Sequence, residues 1–214
     1  MSRVHLVARH ASRILLAAGV IALAYAAYVA IDSHIYQAAE RRLFEVARHD
    51  SRAVAAPVIA VPANGDSIGV IEIPRIGIAV VVVQGDSPEI LNRAVGHVAD
   101  TALPGNTGNV VLAGHRDTFF RALQDMRVGD AITMKTRQGD FDYFVESTFV
   151  VGPTDVWVVD ARGGHTLTLI TCYPFSYIGP APDRFIVRAR EATPVHMQPN
   201  RQPSAVGSHR RAAK

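Results

Sequence analysis

Residues 166–175 read TLTLITCYPF. Thr166–Thr171 is a short β-rich run that ends at Cys172, and Tyr173-Pro174-Phe175 then opens a loop rich in proline and glycine. Upstream, Asn109-Val110-Val111-Leu112-Ala113-Gly114 is a second strand-like run, ending at His115 and followed by Arg116-Asp117-Thr118. Downstream, Arg184 opens a third run, RFIVRAR. A cysteine and a histidine at strand ends, with an arginine on a neighbouring strand, can converge at one rim of a barrel. Rigid strands would hold them while loops surround them, as catalysis requires.

The same texture extends on both sides. Beyond Ser67 the candidate strands are Gly69–Ile73, Ile78–Val83, Gly108–Leu112, Ala131–Thr136, Phe141–Val151, Val156–Val159, Thr166–Thr171 and Phe185–Ala189. Turn signals separate them at Pro104-Gly105-Asn106, Gly129-Asp130, Gly139-Asp140, Gly163-Gly164 and Gly179-Pro180. Ile90–Ala94 and Phe119–Met126 read as short helices. Many short strands at this spacing predict an all-β fold, a closed or nearly closed barrel with small helical insertions.

The three polar residues suit acyl transfer. A thiol attacks an amide only as thiolate, and its ordinary pKa leaves little thiolate at neutral pH. An imidazole such as His115 can take or share the Cys172 proton, then donate it to the departing amine. Attack creates a tetrahedral oxyanion, which a fixed guanidinium such as Arg184 can stabilise. Arginine keeps its charge throughout, so it cannot be the base.

Toward the N-terminus the decisive stretch is Ile14–Ile31, ILLAAGVIALAYAAYVAI, uncharged and close to the length that crosses a hydrocarbon core. Arg3, Arg9 and Arg13 precede it and Asp32 follows, so the positive-inside rule places the N-terminus in the cytoplasm and the rest outside. Ala24-Tyr25-Ala26 resembles a signal-peptide cleavage site, but the apolar run is longer than a usual signal core and continues past it. Residues 32–50 have helical spacing, with Ile35, Ala38, Ala39, Leu43 and Val46 near one stripe, and 51–66 read as a linker. Cys172 is the only cysteine of the 214 residues, so no disulfide framework is possible. An exported lone thiol is a liability unless it acts, although a small buried hydrophobe is the other common use. The formal charge is +3, and much of that excess sits at the two ends. No zinc finger, aromatic RNA-binding motif or basic recognition helix accompanies them, which disfavours nucleic acid as a partner.

Thr168-Leu169-Ile170-Thr171-Cys172, with Arg184 downstream and His115 in an upstream Ala-Gly-His-Arg-Asp-Thr, resembles the sortase family. The resemblance runs from about Ser67 to Arg190 and includes Ile71-Glu72-Ile73-Pro74, Pro104-Gly105-Asn106-Thr107-Gly108-Asn109 and Ala181-Pro182-Asp183-Arg184-Phe185-Ile186-Val187. Cys-Tyr-Pro-Phe and the compact Gly-His-Arg-Asp-Thr are most like class D. It implies an eight-stranded sortase-type β-barrel behind an N-terminal transmembrane helix. It also implies cleavage of a Leu-Pro-x-Thr-Gly-like sorting signal on a secreted protein, through a thioester on Cys172. Transfer would follow to an amine of a peptidoglycan precursor or a protein lysine. His115 carries over as general acid/base, Arg184 as oxyanion stabiliser, and Thr171 as a residue that helps position substrate. The organisation expected is a cytoplasmic basic tail (1–13), an anchor in the plasma membrane (14–31), a stalk helix and linker (32–66), the catalytic barrel (67–191) and a disordered basic tail (192–214).

Other motifs carry less. Gly65-Asp66-Ser67-Ile68-Gly69 has the spacing of a nucleophile elbow, but a β-like run follows it where that motif needs a helix. The nine histidines show no HxxxH or HxH pairing, and Asp155, Asp160 and Glu191 form no dense carboxylate cluster, so neither a metal site nor a cofactor is predicted. Asp117 reads as a turn or cap residue, and Trp157 as core or groove lining. Gly163-Gly164-His165 before the cysteine raises an L,D-transpeptidase as an alternative, although TLTLIT intervenes. A non-catalytic, membrane-tethered barrel scaffold is the other.

Overall fold

The computed structural model describes residues 3–51, 62–160, 163–177 and 179–192. The expected linker is described only from residue 62, and the basic tail only at Ala192. An N-terminal helix α1 (Arg3–Ser51) precedes strands β1 (Ser67–Ile73) and β2 (Ile78–Gln84), a one-turn helix α2 (Pro88–Leu91), then β3 (Val95–His97) and β4 (Gly108–Ala113). β5 (Ala131–Thr136), β6 (Asp140–Val151), β7 (His165–Tyr173) and β8 (Asp183–Glu191) complete the chain, with 3-10 turns at Pro74–Ile76, Arg121–Asp125 and Val156–Val158.

The eight strands close into one barrel in the order β1-β2-β3-β4-β7-β8-β6-β5. Neighbours are antiparallel except β2 with β3 and β4 with β7. Alternation along each strand fills the interior with side chains, as small barrels require. Ile71 and Ile73 of β1, Leu112 of β4, Ile132 and Met134 of β5, and Leu167 and Leu169 of β7 are fully buried there. Leu123, from the turn after β4, closes the same core.

Two elements differ from the reading of the sequence. Val156–Val158 is a 3-10 turn, not a strand, because β8 already has β7 and β6 on its two sides and a closed barrel offers no edge. Trp157 lies outside the barrel instead, stacked 5.6 Å from Phe149, with the Arg188 guanidinium 5.8 Å from its ring centre. The strand β3 carries no pattern that sequence could display, being three residues that include Gly96 and the buried His97.

Helix α1 has two zones. Along Ile14–Ile31 its large apolar side chains are exposed all round, and among the described residues it is the one helix long and apolar enough to cross a membrane. An apolar surface that no protein covers is consistent with a single-pass anchor. Beyond Ile31 the helix packs on the outside of β1 and β2, but by a different face from the expected stripe. Ile35, Leu43 and Val46 stay exposed, while Phe44 is buried with Val70, Val81, Val83 and Ala94. A polar residue decides this face. β3 pairs with β2 only from Val82 onward, and Gln37 accepts from the Val81 N–H (2.9 Å) while donating to the Arg93 carbonyl (2.6 Å). The Gln37 amide thus bridges β2 and the entry to β3. A pairing of Arg93 Nε with Asp32 at 2.9 Å adds a contact one turn earlier.

Candidate active site

Cys172 sits one residue from the end of β7, with a different strand on each side. On one side β7 is antiparallel to β8, and the cross-strand partner of Cys172 is Arg184. On the other side β7 is parallel to β4, with Ala113 opposite Ile170. Carrying that register two residues further brings His115 level with Cys172. The link continues past the strand itself, for the Gly114 N–H donates to the Ile170 carbonyl at 3.1 Å. The Thr171 hydroxyl then donates to the Gly114 carbonyl at 2.7 Å.

Thr171 is therefore a tie between the two strand ends. Its side chain is 2% exposed and its hydroxyl is committed to Gly114, so any effect on substrate passes through the geometry it holds. Gly114 leaves no room for a side chain, since a Cβ there would lie 2.8 Å from the Phe120 ring. Phe120 is fully buried, and its N–H closes the following turn on the His115 carbonyl at 3.0 Å. His115 and Cys172 are both partly exposed at this rim.

Arg184 is partly exposed too, and its Nη1 donates to the carbonyls of Asp183 (2.9 Å) and Ala181 (3.3 Å). Beneath it, Phe175 packs edge-on to Phe185 with ring centres 5.3 Å apart, and Tyr173 flanks both. The rim rests on the barrel core through Phe175 and Phe185. The arrangement offers a thiol, an imidazole and a guanidinium at one edge, a set able to perform acyl transfer.

The remaining motif residues lie elsewhere. Ser67 opens β1 rather than a helix. His165 starts β7 at the end away from Cys172 and pairs with Glu191 at 3.1 Å, which separates it from the thiol. Asp117 is exposed and turned to Arg116 Nε at 3.4 Å. Sequence reasoning placed Arg116 in a motif without a role, and its buried state is visible only in the fold: the residue is 6% exposed and reaches the loop after Cys172. Among the described residues no group of three His, Cys, Asp or Glu side chains is placed to hold a metal ion.

Known proteins resemble this chain in sequence and in fold. A sortase domain is matched over residues 71–192. The chain is 36% identical over 133 residues to sortase D of Bacillus subtilis (strain 168), covering 62% of this chain and 67% of that protein. It spans about half the length of sortase A of Bacillus anthracis, at 28% identity. Its fold superposes on a Clostridium perfringens sortase D5 transpeptidase with a TM-score of 0.61 and 28% identity, over 76% of this chain and 99% of the other. A lid mutant of sortase A from Corynebacterium diphtheriae gives a TM-score of 0.57 at 27% identity, over 73% and 95% of the two chains. A closed eight-stranded barrel and a matched domain over more than half the length together place this chain in the sortase family.

Proposed function

We propose that this protein is a membrane-anchored cysteine transpeptidase that cuts a Leu-Pro-x-Thr-Gly-like sorting signal and passes the acyl group to an amine. The observation that carries the reading is the position of Cys172, with Arg184 as cross-strand partner on one side and the His115 segment tied to its own strand on the other.

His115 takes the Cys172 thiol proton, and the sulfur attacks the carbonyl carbon of the scissile Thr–Gly bond. The carbonyl electrons move onto oxygen, where the Arg184 guanidinium offsets the new charge. As the carbonyl re-forms, the C–N bond breaks and the His115 proton goes to the leaving amine. The thioester on Cys172 then meets an acceptor amine, which attacks the same carbon and loses a proton to His115. Collapse returns the thiolate, and His115 restores its proton. The acceptor belongs to a peptidoglycan precursor or a protein lysine. The N-terminal arginines hold α1 with its N-terminus in the cytoplasm and the barrel outside.

The test uses the full-length chain in detergent, a fluorescence-quenched sorting-signal peptide and hydroxylamine as acceptor. Wild type should release the peptide as its hydroxamate. Cys172→Ala should release none. Cys172→Ser should be nearly as inactive, because a hydroxyl is far harder to ionise than a thiol. Substantial turnover by either variant would remove Cys172 from the mechanism.

A further inference from the structure

Arg116 follows His115 directly, yet its side chain is turned inward and only 6% exposed. A guanidinium keeps its charge at any working pH, so burying one is costly unless its donors find partners. Those partners come from one loop. Nη1 donates to the Pro174 carbonyl at 3.0 Å, and Nη2 to the carbonyls of Tyr177 (2.6 Å) and Gly179 (3.0 Å). The guanidinium carbon also lies 5.8 Å from the centre of the Tyr177 ring, within cation–π range. The Asp117 carboxylate on Nε, at 3.4 Å, is largely exposed and adds little.

The loop so held starts at Pro174, two residues after Cys172, and ends at Pro182, two residues before Arg184. Its second half is bound from the other side, where Arg184 Nη1 donates to Ala181 and Asp183. Two guanidiniums therefore hold the loop, Arg116 along its length and Arg184 at its junction with β8. Arg184 spends Nη1 on the Ala181 and Asp183 carbonyls, and a developing oxyanion would be met by its other N–H donors. With Pro174, Tyr177 and Gly179 fixed by Arg116, movement of the loop is confined to the last residues before β8. Without that hold, the loop between nucleophile and oxyanion partner can shift as a whole.

We propose that Arg116 is a positioning residue, a clamp that fixes the β7–β8 loop to the segment bearing His115 so that Cys172, His115 and Arg184 keep one geometry. The proposal rests on the transpeptidase reading above. Lysine cannot replace the clamp fully, because a single ammonium lacks the fork that spans several carbonyls.

Full-length wild type, Arg116→Lys, Arg116→Met and Arg116→Ala are compared in detergent. Loop restraint is read without catalysis, as the rate of chymotrypsin cleavage after the exposed Tyr177. Geometry is read as kcat and KM for the sorting-signal peptide, per thiol titrated with a small methylthiosulfonate. Arg116→Met should be cut faster after Tyr177 and lose roughly 10- to 100-fold in kcat, with KM changing less. Arg116→Lys should fall between Met and wild type. Low guanidinium chloride should restore part of kcat to Arg116→Ala, and urea should not. A residue that only supports folding would lower the melting temperature and leave kcat per thiol at the wild-type value in every variant, which would overturn the proposal. Should Arg116→Met and Arg116→Ala fail to fold, Arg116→Lys decides by the same two readouts. Should wild type form no acyl-enzyme, the transpeptidase reading fails and proteolysis still judges the clamp: unchanged cutting after Tyr177 overturns it, and faster cutting upholds it.

Discussion

Arg184 separates chemistry from binding at the scale of a single residue. Its guanidinium is planar and always charged, and in the resting protein it is held by the carbonyls of Ala181 and Asp183. Stabilisation of an oxyanion grows as the carbonyl oxygen gains charge, so removing the donor should lower kcat more than it raises KM. Arg184→Ala should lose on the order of 100- to 1000-fold in kcat, the usual cost of one well-aimed oxyanion donor. Arg184→Lys should stay well below wild type, since it keeps charge without the planar fork. Steady-state kinetics on the sorting-signal peptide check this. Normal kcat with a raised KM would move Arg184 from the chemistry to the substrate groove. Cys172, His115 and Arg184 were legible in the sequence because each lies at or beside the end of a β-rich run. Arg116 was not, since an arginine in a turn reads as solvated until the fold brings Pro174, Tyr177 and Gly179 to it.

At the scale of elements, the strands with several β-branched or aliphatic residues were readable and the short or edge-less ones were not. β3 is too short for a period, and the run at Val156–Val158 has strand composition but no free edge to join. The packed face of α1 was hidden for a related reason. Hydrophobic spacing picked Ile35, Leu43 and Val46, whereas the hydrogen bonds of Gln37 turn Phe44 inward instead. β3 also carries a pH dependence. His97 is 1% exposed, with Nδ1 2.9 Å from Gln84 Oε1 and Nε2 2.9 Å from the Ala102 carbonyl. Burial lowers its pKa, and the bond to Ala102 opposes that in part. The unfolded chain therefore takes up this proton at a higher pH than the folded one. The contribution of neutral His97 is complete above the ordinary histidine value of about 6.5 and falls as pH drops toward the lower folded value. Asp130 acts in a separate, more acidic window. The Arg75 hydrogen bond lowers its pKa from 3.8, so its stabilisation is lost only as pH falls through and below that value. The melting temperature of wild type should thus decline from about pH 7.5 to pH 5.5, and His97→Gln, which cannot titrate, should flatten that slope. An equal slope in both proteins would place the acid sensitivity elsewhere.

The whole molecule joins an apolar helix to a closed barrel without an intervening break in α1. Ile14–Ile31 is uncovered, and by Asp32 and Gln37 the same helix is bonded to Arg93 and β2. Such continuity would hold the Cys172 rim at a set relation to a bilayer crossed by Ile14–Ile31. On the proposed mechanism one thiol, Cys172, carries the acyl group between donor and acceptor. Intact mass spectrometry of the full-length chain tests it most directly, after brief incubation with a Leu-Pro-x-Thr-Gly peptide and an acid quench in the absence of an added amine. Wild type should gain the mass of the peptide up to its threonine, localised by acid-stable peptic digestion to the fragment that contains Cys172, and lose it when hydroxylamine is added. Cys172→Ala should gain nothing. A wild-type chain that cuts the peptide without that adduct, or an equal adduct on Cys172→Ala, would contradict the account.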